Sequence, residues 1–286
     1  MLPSPLVSTD WLAAHLGEPQ LRILDCSVVM RTLADGSYSF VGGRDEWQEA
    51  HIPGSVFVDV LEELAAKDTP LPMMMPSAEE FAATMAGYGV GAGTAVVLYD
   101  RSNHAWAARV WWMLRACGFD AAAVLDGGWQ KWAAETRPMS EVATTYPRGN
   151  FRPRVRPELL ATKQEVRESL DKPGVAIVNS LSPDEHRGTA PTRFPRAGRI
   201  AGSCNVYCQA LIDPITKTYW PAPKLRELFA QTGALEADRV ITYCGAGIAA
   251  SSDAFALMVL GVGNVAVYDG SLAEWTADPT LPMETG

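Results

Sequence analysis

Residues 240–275 read VITYCGAGIAASSDAFALMVLGVGNVAVYDGSLAEW. The run VITY is β-branched, as a short buried strand is. A glycine-rich loop follows. Ile248, Phe255, Leu257 and Met258 then recur at helical spacing. A second apolar run, VAVY, ends in Asp-Gly and a closing Trp. The same order appears in VVLYDRSNHAWAARVWWMLRACGFDAAAVLDGGWQKW, residues 96–132. Tyr99-Asp100 aligns with Tyr243-Cys244 at an offset of 144, and Asp126-Gly127 with Asp269-Gly270 at 143, so one residue of slack lies between.

Earlier segments repeat too. LRILDCSV (21–28) pairs with VAIVNSLS (175–182), and AHIPGSVFVD (50–59) with GRIAGSCNVY (198–207). Strands alternate with helices in each half, which argues βαβ units on parallel sheets. The expected organisation is two α/β domains, 1–140 and 158–286. They are joined by a Pro- and Arg-containing linker from about Thr136 to Pro157 that lacks periodicity.

The 286 residues are 48% hydrophobic and 20% charged, within the ordinary globular range. A formal net charge of −9 and the absence of any basic run exclude a nucleic-acid partner from the expectation. No stretch is long and apolar enough to span a membrane, and the start lacks a secretory pattern. Five cysteines in a chain of this length do not make a disulfide framework. These features give a cytoplasmic expectation.

Cys244 ends its strand and is followed by Gly245, Ala246, Gly247, Ile248 and Ala249. Glycines permit backbone conformations in which N–H groups converge on one point. The following helix N-terminus adds positive potential there. A thiol at this place is expected to be held as thiolate. It would be a nucleophile at the carboxyl end of a strand, where open α/β sheets bind ligands. The bland alternative is a small buried residue, the usual fate of a free cysteine.

The chain resembles the tandem-domain rhodanese family, which includes thiosulfate and 3-mercaptopyruvate sulfurtransferases. The resemblance rests on the loop CGAGIA (244–249), the turns HIPGS (51–55) and RIAGS (199–203), the endings DGGWQKW and DGSLAEW, and the duplicated plan. It implies two rhodanese-like domains, each a parallel sheet flanked by helices. The C-terminal domain would be catalytic. The N-terminal one would lack the cysteine, since Asp100 stands in its place. It also implies that Cys244 takes a sulfane sulfur from a small anionic donor as a persulfide, with thiosulfate the first choice and 3-mercaptopyruvate the second. Cyanide or a thiol, carried by a small molecule or a protein, would take the sulfur away. Neither metal nor organic cofactor is implied.

Several positions depart from the family pattern. Thiosulfate-type loops carry two cations after the cysteine, where Gly245 and Ala246 stand here. Mercaptopyruvate-type loops have serine at the Ala246 position. Met73 falls at a partner-histidine position and Glu185 at that of a substrate arginine. Arg187, Arg193 and Arg196 are the candidates for donor binding, through bidentate recognition of a carboxylate or sulfonate. Surface or structural charge is the alternative for each.

His186 is the best histidine candidate near the substrate, and His104 lies in the loop that mirrors the active one. Cys204 and Cys208 form a C-x3-C without further ligands, so zinc is not expected. Other functions remain in view. A cysteine-loop phosphatase would need an arginine six positions after the cysteine, and position 250 is Ala250. A persulfide carrier in a sulfur relay is the main alternative. A thiol redox sensor is a minor one, because no resolving cysteine lies within thirty residues of Cys244.

Overall fold

The structure, a computed structural model, describes residues 2–32 and 38–286. The chain divides into two compact units. One comprises Met1–Lys67, Met75–Val155 and Pro214–Tyr219; the other comprises Asp68–Met74, Arg156–Asp213 and Trp220–Gly286.

The first unit contains strands β1 (Leu6–Val7), β2 (Leu21–Asp25), β3 (Val28–Thr32), β4 (Tyr38–Gly42), β5 (Ser55–Phe57), β6 (Ala95–Tyr99) and β7 (Ala122–Leu125). Its helices are α1 (Thr9–Ala14), α2 (Arg44–Glu49), α3 (Ala78–Gly87), α4 (Ala105–Ala116) and α5 (Gly128–Ala134). The main sheet is parallel in the order β1-β7-β6-β2-β5, and β3 and β4 form a separate antiparallel ribbon.

The second unit contains β8 (Leu160–Ala161), β9 (Val175–Asn179), β10 (Arg199–Ile200), β11 (Cys204–Asn205), β12 (Arg239–Tyr243), β13 (Val265–Tyr268) and β14 (Met283–Glu284). Its helices are α6 (Lys163–Glu168), α7 (Pro183–Arg187), α8 (Ala222–Phe229), α9 (Ile248–Val259) and α10 (Ser271–Trp275). The parallel order β8-β13-β12-β9-β11 repeats that of the first unit strand for strand. The duplication read in the sequence is therefore a duplication of fold.

Strands β6 and β12 are central. Val96 to Tyr99 and Val240 to Tyr243 are all fully buried. Successive residues of a strand point to opposite faces, so both faces of each sheet are covered. That explains runs of unbroken apolar residues rather than alternation.

The last residue of each central strand is a buried tyrosine that holds the adjoining turn. The Tyr243 hydroxyl accepts from the Ile200 amide at 3.0 Å and from Asn179 Nδ2 at 2.9 Å, and lies 2.7 Å from Ser203 Oγ. Tyr99 meets Ser55 Oγ at 3.0 Å and the Ile52 amide at 3.4 Å. The repeated Ile-x-Gly-Ser is thus a turn fitted to one hydroxyl. Burial pushes the Tyr243 hydroxyl up to about 12, so it stays protonated as this network requires.

Residues 136–155 are pinned along the first unit. Ser140 bridges His51, Tyr146 donates to Gly54 O at 2.6 Å, and the Gly149 and Arg154 amides reach Ala86 O and Cys117 O. Among the described residues, no helix is long and apolar enough to cross a membrane.

Each sheet is closed by an indole. Trp132 and Trp275 are fully buried and donate to Pro138 O at 2.8 Å and Pro282 O at 3.1 Å. Trp275→Ala should lower unfolding free energy by about 3–5 kcal/mol, the cost of a large cavity in a packed core. Denaturant titration of the full chain measures this, and a loss below about 1 kcal/mol would show that the indole is not a core element.

Candidate active site

Strand β12 delivers Cys244 to the carboxyl end of the sheet, and α9 begins four residues later. The intervening loop has a defined polarity. Its carbonyls turn toward α10: the Leu272 amide donates to Cys244 O and the Ala273 amide to Gly245 O, both at 3.0 Å. Ser271 ties the loop from the same side. Its Oγ accepts from the amides of Cys244 at 3.1 Å and Gly247 at 3.2 Å, and donates to Tyr268 O at 2.7 Å. Ser251 donates to Gly247 O through both Oγ and its amide. The amides of Gly245, Ala246, Ile248, Ala249 and Ala250 have no acceptor among the described residues.

Two glycines are needed here. Gly247 caps α9 with φ +78°, a left-handed conformation that strains other residues. At Gly245 a Cβ would lie 2.9 Å from Phe194 Cζ and 3.4 Å from Arg193 Nη2. There is no room for a side chain at that point, and the Arg193 guanidinium abuts the loop. Cys244 itself is buried.

The first unit shows the same loop filled. Asp100 occupies the position of Cys244 after β6. Its Oδ1 accepts from the amides of Ser102 at 2.8 Å and His104 at 3.2 Å. Its Oδ2 accepts from the amides of Trp106 at 3.1 Å and Ala107 at 3.0 Å. Trp106 and Ala107 are the second and third residues of α4, and Ala249 and Ala250 hold those places in α9. The slack residue lies inside this loop: the α4 cap is His104 and the α9 cap is Gly247, an offset of 143. His104 Nε2 contacts Lys217 O at 2.6 Å, and its ring stacks on Tyr219. The histidine in the loop that mirrors residues 244–247 therefore fastens residues 214–219 onto the first unit.

The candidate arginines separate. Arg193 is at the loop, its guanidinium 5.3 Å from the Phe194 ring centre. Arg196 donates to four carbonyls, those of Trp275, Thr276, Asp278 and Leu281, and so holds the chain after α10. Arg187 is half exposed and pairs with Asp184 at 2.5 Å. Arg199 pairs with Glu284 and donates to Gly286 O. Glu185 acts locally, in a reciprocal capping box with Ser182 at the start of α7. The signature Ser-Pro-Asp-Glu was visible in the sequence. Met73, with φ +60°, lies four residues before the α3 cap Ser77, as Lys217, with φ +63°, lies four before the α8 cap Pro221.

Ser271 was missed by sequence reasoning. Its only signal is its place after Asp269-Gly270, where the first repeat has Gly128. Cys208 was weighed only as half of a metal spacing, and Ser180 and Asp253 were passed over. They form a buried cluster in the second unit.

The rhodanese-like domain family matches this chain twice, over residues 8–135 and 162–278. The chain belongs to that family. It is 33% identical over 304 residues to "Thiosulfate/3-mercaptopyruvate sulfurtransferase 1, mitochondrial" of Arabidopsis thaliana, covering 98% of this chain and 78% of that one. It is 32% identical over 287 residues to the 3-mercaptopyruvate sulfurtransferase of Escherichia coli K12, covering 97% of each. The crystal structure of SseA from Escherichia coli, described as a 3-mercaptopyruvate sulfotransferase with the rhodanese fold, superposes with a TM-score of 0.82. It is 29% identical and covers 94% of this chain and 98% of its own. The fold expected from the sequence, tandem rhodanese-like domains with parallel sheets, is the fold found.

Ser271→Ala would orphan two buried amides of the loop, at about 1–3 kcal/mol each. We expect a lowered denaturation midpoint and slower alkylation of Cys244 by iodoacetamide. Wild-type values for both would show that the hydroxyl does not set the loop.

His186 is half-buried, and burial, then the guanidinium groups of Arg199 and Arg187, push it down from 6.5 to about 4. The unfolded chain therefore binds this proton first as pH falls. Stability present above pH 6.5 is lost progressively toward pH 4. His186→Gln should flatten this part of the stability-against-pH curve; an unchanged slope would exclude His186 as its source.

Proposed function

We propose that the chain is a sulfurtransferase whose nucleophile is Cys244, carried by the second unit. The thiolate attacks the outer sulfur of a small anionic donor. A new S–S bond forms, the donor's bond to that sulfur breaks, and its electron pair leaves with the donor's remainder. An acceptor thiol or cyanide then attacks the outer sulfur of the Cys244 persulfide and restores the thiolate. This is covalent catalysis in two half-reactions.

The observation that carries this reading is the set of unoccupied amides around Cys244. In the first unit the corresponding helix amides bind the carboxylate of Asp100. A persulfide anion on Cys244 would present its charge to the same kind of cradle, as an oxyanion does to preorganised donors. The first unit, its cradle filled by Asp100, would act as a scaffold.

The donor order expected from the sequence is reversed in this proposal, with 3-mercaptopyruvate before thiosulfate. Both relatives named above carry that donor in their names, the Arabidopsis one beside thiosulfate and the Escherichia coli one alone. The loop also supplies one neighbouring guanidinium, Arg193, in place of two cations on the loop itself. A single carboxylate is the better match to a single fork of donors. Arg187 and Arg196 would support rather than bind the donor.

Thiocyanate production from cyanide should be measured with each donor. We expect kcat/KM for 3-mercaptopyruvate to exceed that for thiosulfate by about tenfold or more, and Cys244→Ser to abolish turnover of both. Arg193→Met should raise KM for 3-mercaptopyruvate more than it lowers kcat. A fully active Cys244→Ser enzyme would sink the mechanism.

A further inference from the structure

A buried carboxylic acid stands on the helix that begins at the cysteine loop. Asp253 lies in the second turn of α9 and is fully buried. Its Oδ2 accepts from the Ser180 hydroxyl at 2.8 Å, and its Oδ1 has no partner. Ser180 follows β9, and its amide donates at 2.9 Å to Tyr243 O, in the peptide that leads into Cys244. Two bonds through one residue therefore tie α9 to the end of the active strand. Burial raises the Asp253 carboxyl well above the usual carboxylate range, so the pair is a neutral one. The first unit supplies the control. Counting from the helix caps, Val110 of α4 holds the place of Asp253. By strand register Cys26, after β2, holds that of Ser180, and its amide makes the same bond, to Tyr99 O at 2.8 Å. Val110 and Cys26 are buried as completely as their counterparts, and a valine side chain accepts no hydrogen bond. An apolar side chain thus suffices at this place in the unit whose loop Asp100 closes. In the unit whose loop carries the thiol, a half-satisfied buried acid stands there, at a cost in stability.

We propose that Asp253 is a positioning residue for Cys244, holding through Ser180 the placement of the α9 N-terminus against the end of β12. The inference rests on Cys244 being the nucleophile. The open amides of Ala249 and Ala250 belong to the helix, and Cys244 belongs to the strand. Their relative placement is set by the bonds that join the two elements. Thr242 Oγ1 donates to Ala250 O at 3.0 Å and makes one such bond at the first turn. The Asp253–Ser180 bond makes another, one turn further along. A side-chain bond at each of two turns fixes the tilt of a helix, where one alone leaves a pivot. In the first unit the Asp100 carboxylate itself bridges the strand end and the helix amides of Trp106 and Ala107. That unit needs no further attachment, and Val110 stands where the acid would be. Asp253 acts in this role through the amides that would receive negative charge, whose aim decides how much they stabilise it.

Three readouts on the full chain test this: thiocyanate formation with 3-mercaptopyruvate and with thiosulfate, denaturant unfolding, and iodoacetamide alkylation of Cys244 followed by peptide mapping. The double variant Ser180→Ala/Asp253→Val removes both partners and installs the side chain found in the first unit. We expect its denaturation midpoint to equal or exceed that of wild type, because removing both halves of a buried pair leaves no orphan. We expect kcat to fall about tenfold with KM unchanged within about twofold, and alkylation to slow, as for a misplaced site. Asp253→Asn keeps an acceptor for the Ser180 hydroxyl and should restore most of kcat. Should the double variant fold poorly, Ser180→Ala alone must show the loss of kcat. Wild-type kcat in the variant that lacks the bond, or an Asp253→Asn chain equally slow, would overturn the inference and leave the Cys244 reading standing. A wild type that turns over neither donor would overturn the Cys244 reading, and the inference with it.

Discussion

The arrangement of peptide units between Tyr243 and Ile248 is the constraint on which the site depends. A loop can bind an anion only if its carbonyls face away from it. Here the amides of Leu272 and Ala273 take the carbonyls of Cys244 and Gly245, and the Ser271 hydroxyl takes the amides of Cys244 and Gly247. What remains unpaired is a group of amides at the helix N-terminus. Side chains would block this geometry, because Phe194 and Arg193 already fill the space beside Gly245. Gly245 is thus fitted to its neighbours sterically, as well as leaving its amide open.

The two units show what one substitution does to this device. Asp100 and Cys244 end equivalent strands, and Trp129 and Leu272 make the same bond back to the residue that follows each strand. In the first unit a carboxylate turns inward and satisfies the amides permanently. In the second a thiol leaves them open. The two loops therefore differ mainly in whether a built-in charge meets the amides at the helix N-terminus. Duplication makes this comparison internal to one chain, with fold and strand order held constant.

Much of this was legible in the sequence. The offset between the halves predicted the duplicated sheets, since strand order follows from repeated βαβ units. Cys244 stood out because a thiol followed by glycines at a strand end has few structural uses. The rest was hidden for physical reasons. Arg196 and Arg193 are three residues apart and alike in composition, yet one is engaged by four carbonyls and the other abuts the loop. Only the path of the chain after α10 separates them. Glu185 read as a lost arginine when it was a helix cap, a signal overlooked rather than absent. Ser271 acts through residues distant in sequence, and no local pattern encodes such a partner.

The cluster behind the loop follows from the same sheet order. Because β9 lies between β12 and β11, the segment after β11 leaves the carboxyl end of the sheet one strand removed from β12 and packs against α9. The residue that opens its 3-10 turn is position 208. In this chain it is a thiol, and the helix opposite presents a carboxyl group whose hydrogen-bonding capacity is half used. A buried acid is costly unless it is neutral or paired. Burial raises the Asp253 carboxyl well above the usual carboxylate range, so the neutral form is favoured. Two proton-bearing groups, Cys208 and Asp253, are therefore held dry on or against the helix that begins at the cysteine loop, and burial favours the neutral form of each, so neither adds negative charge that would compete for the open amides.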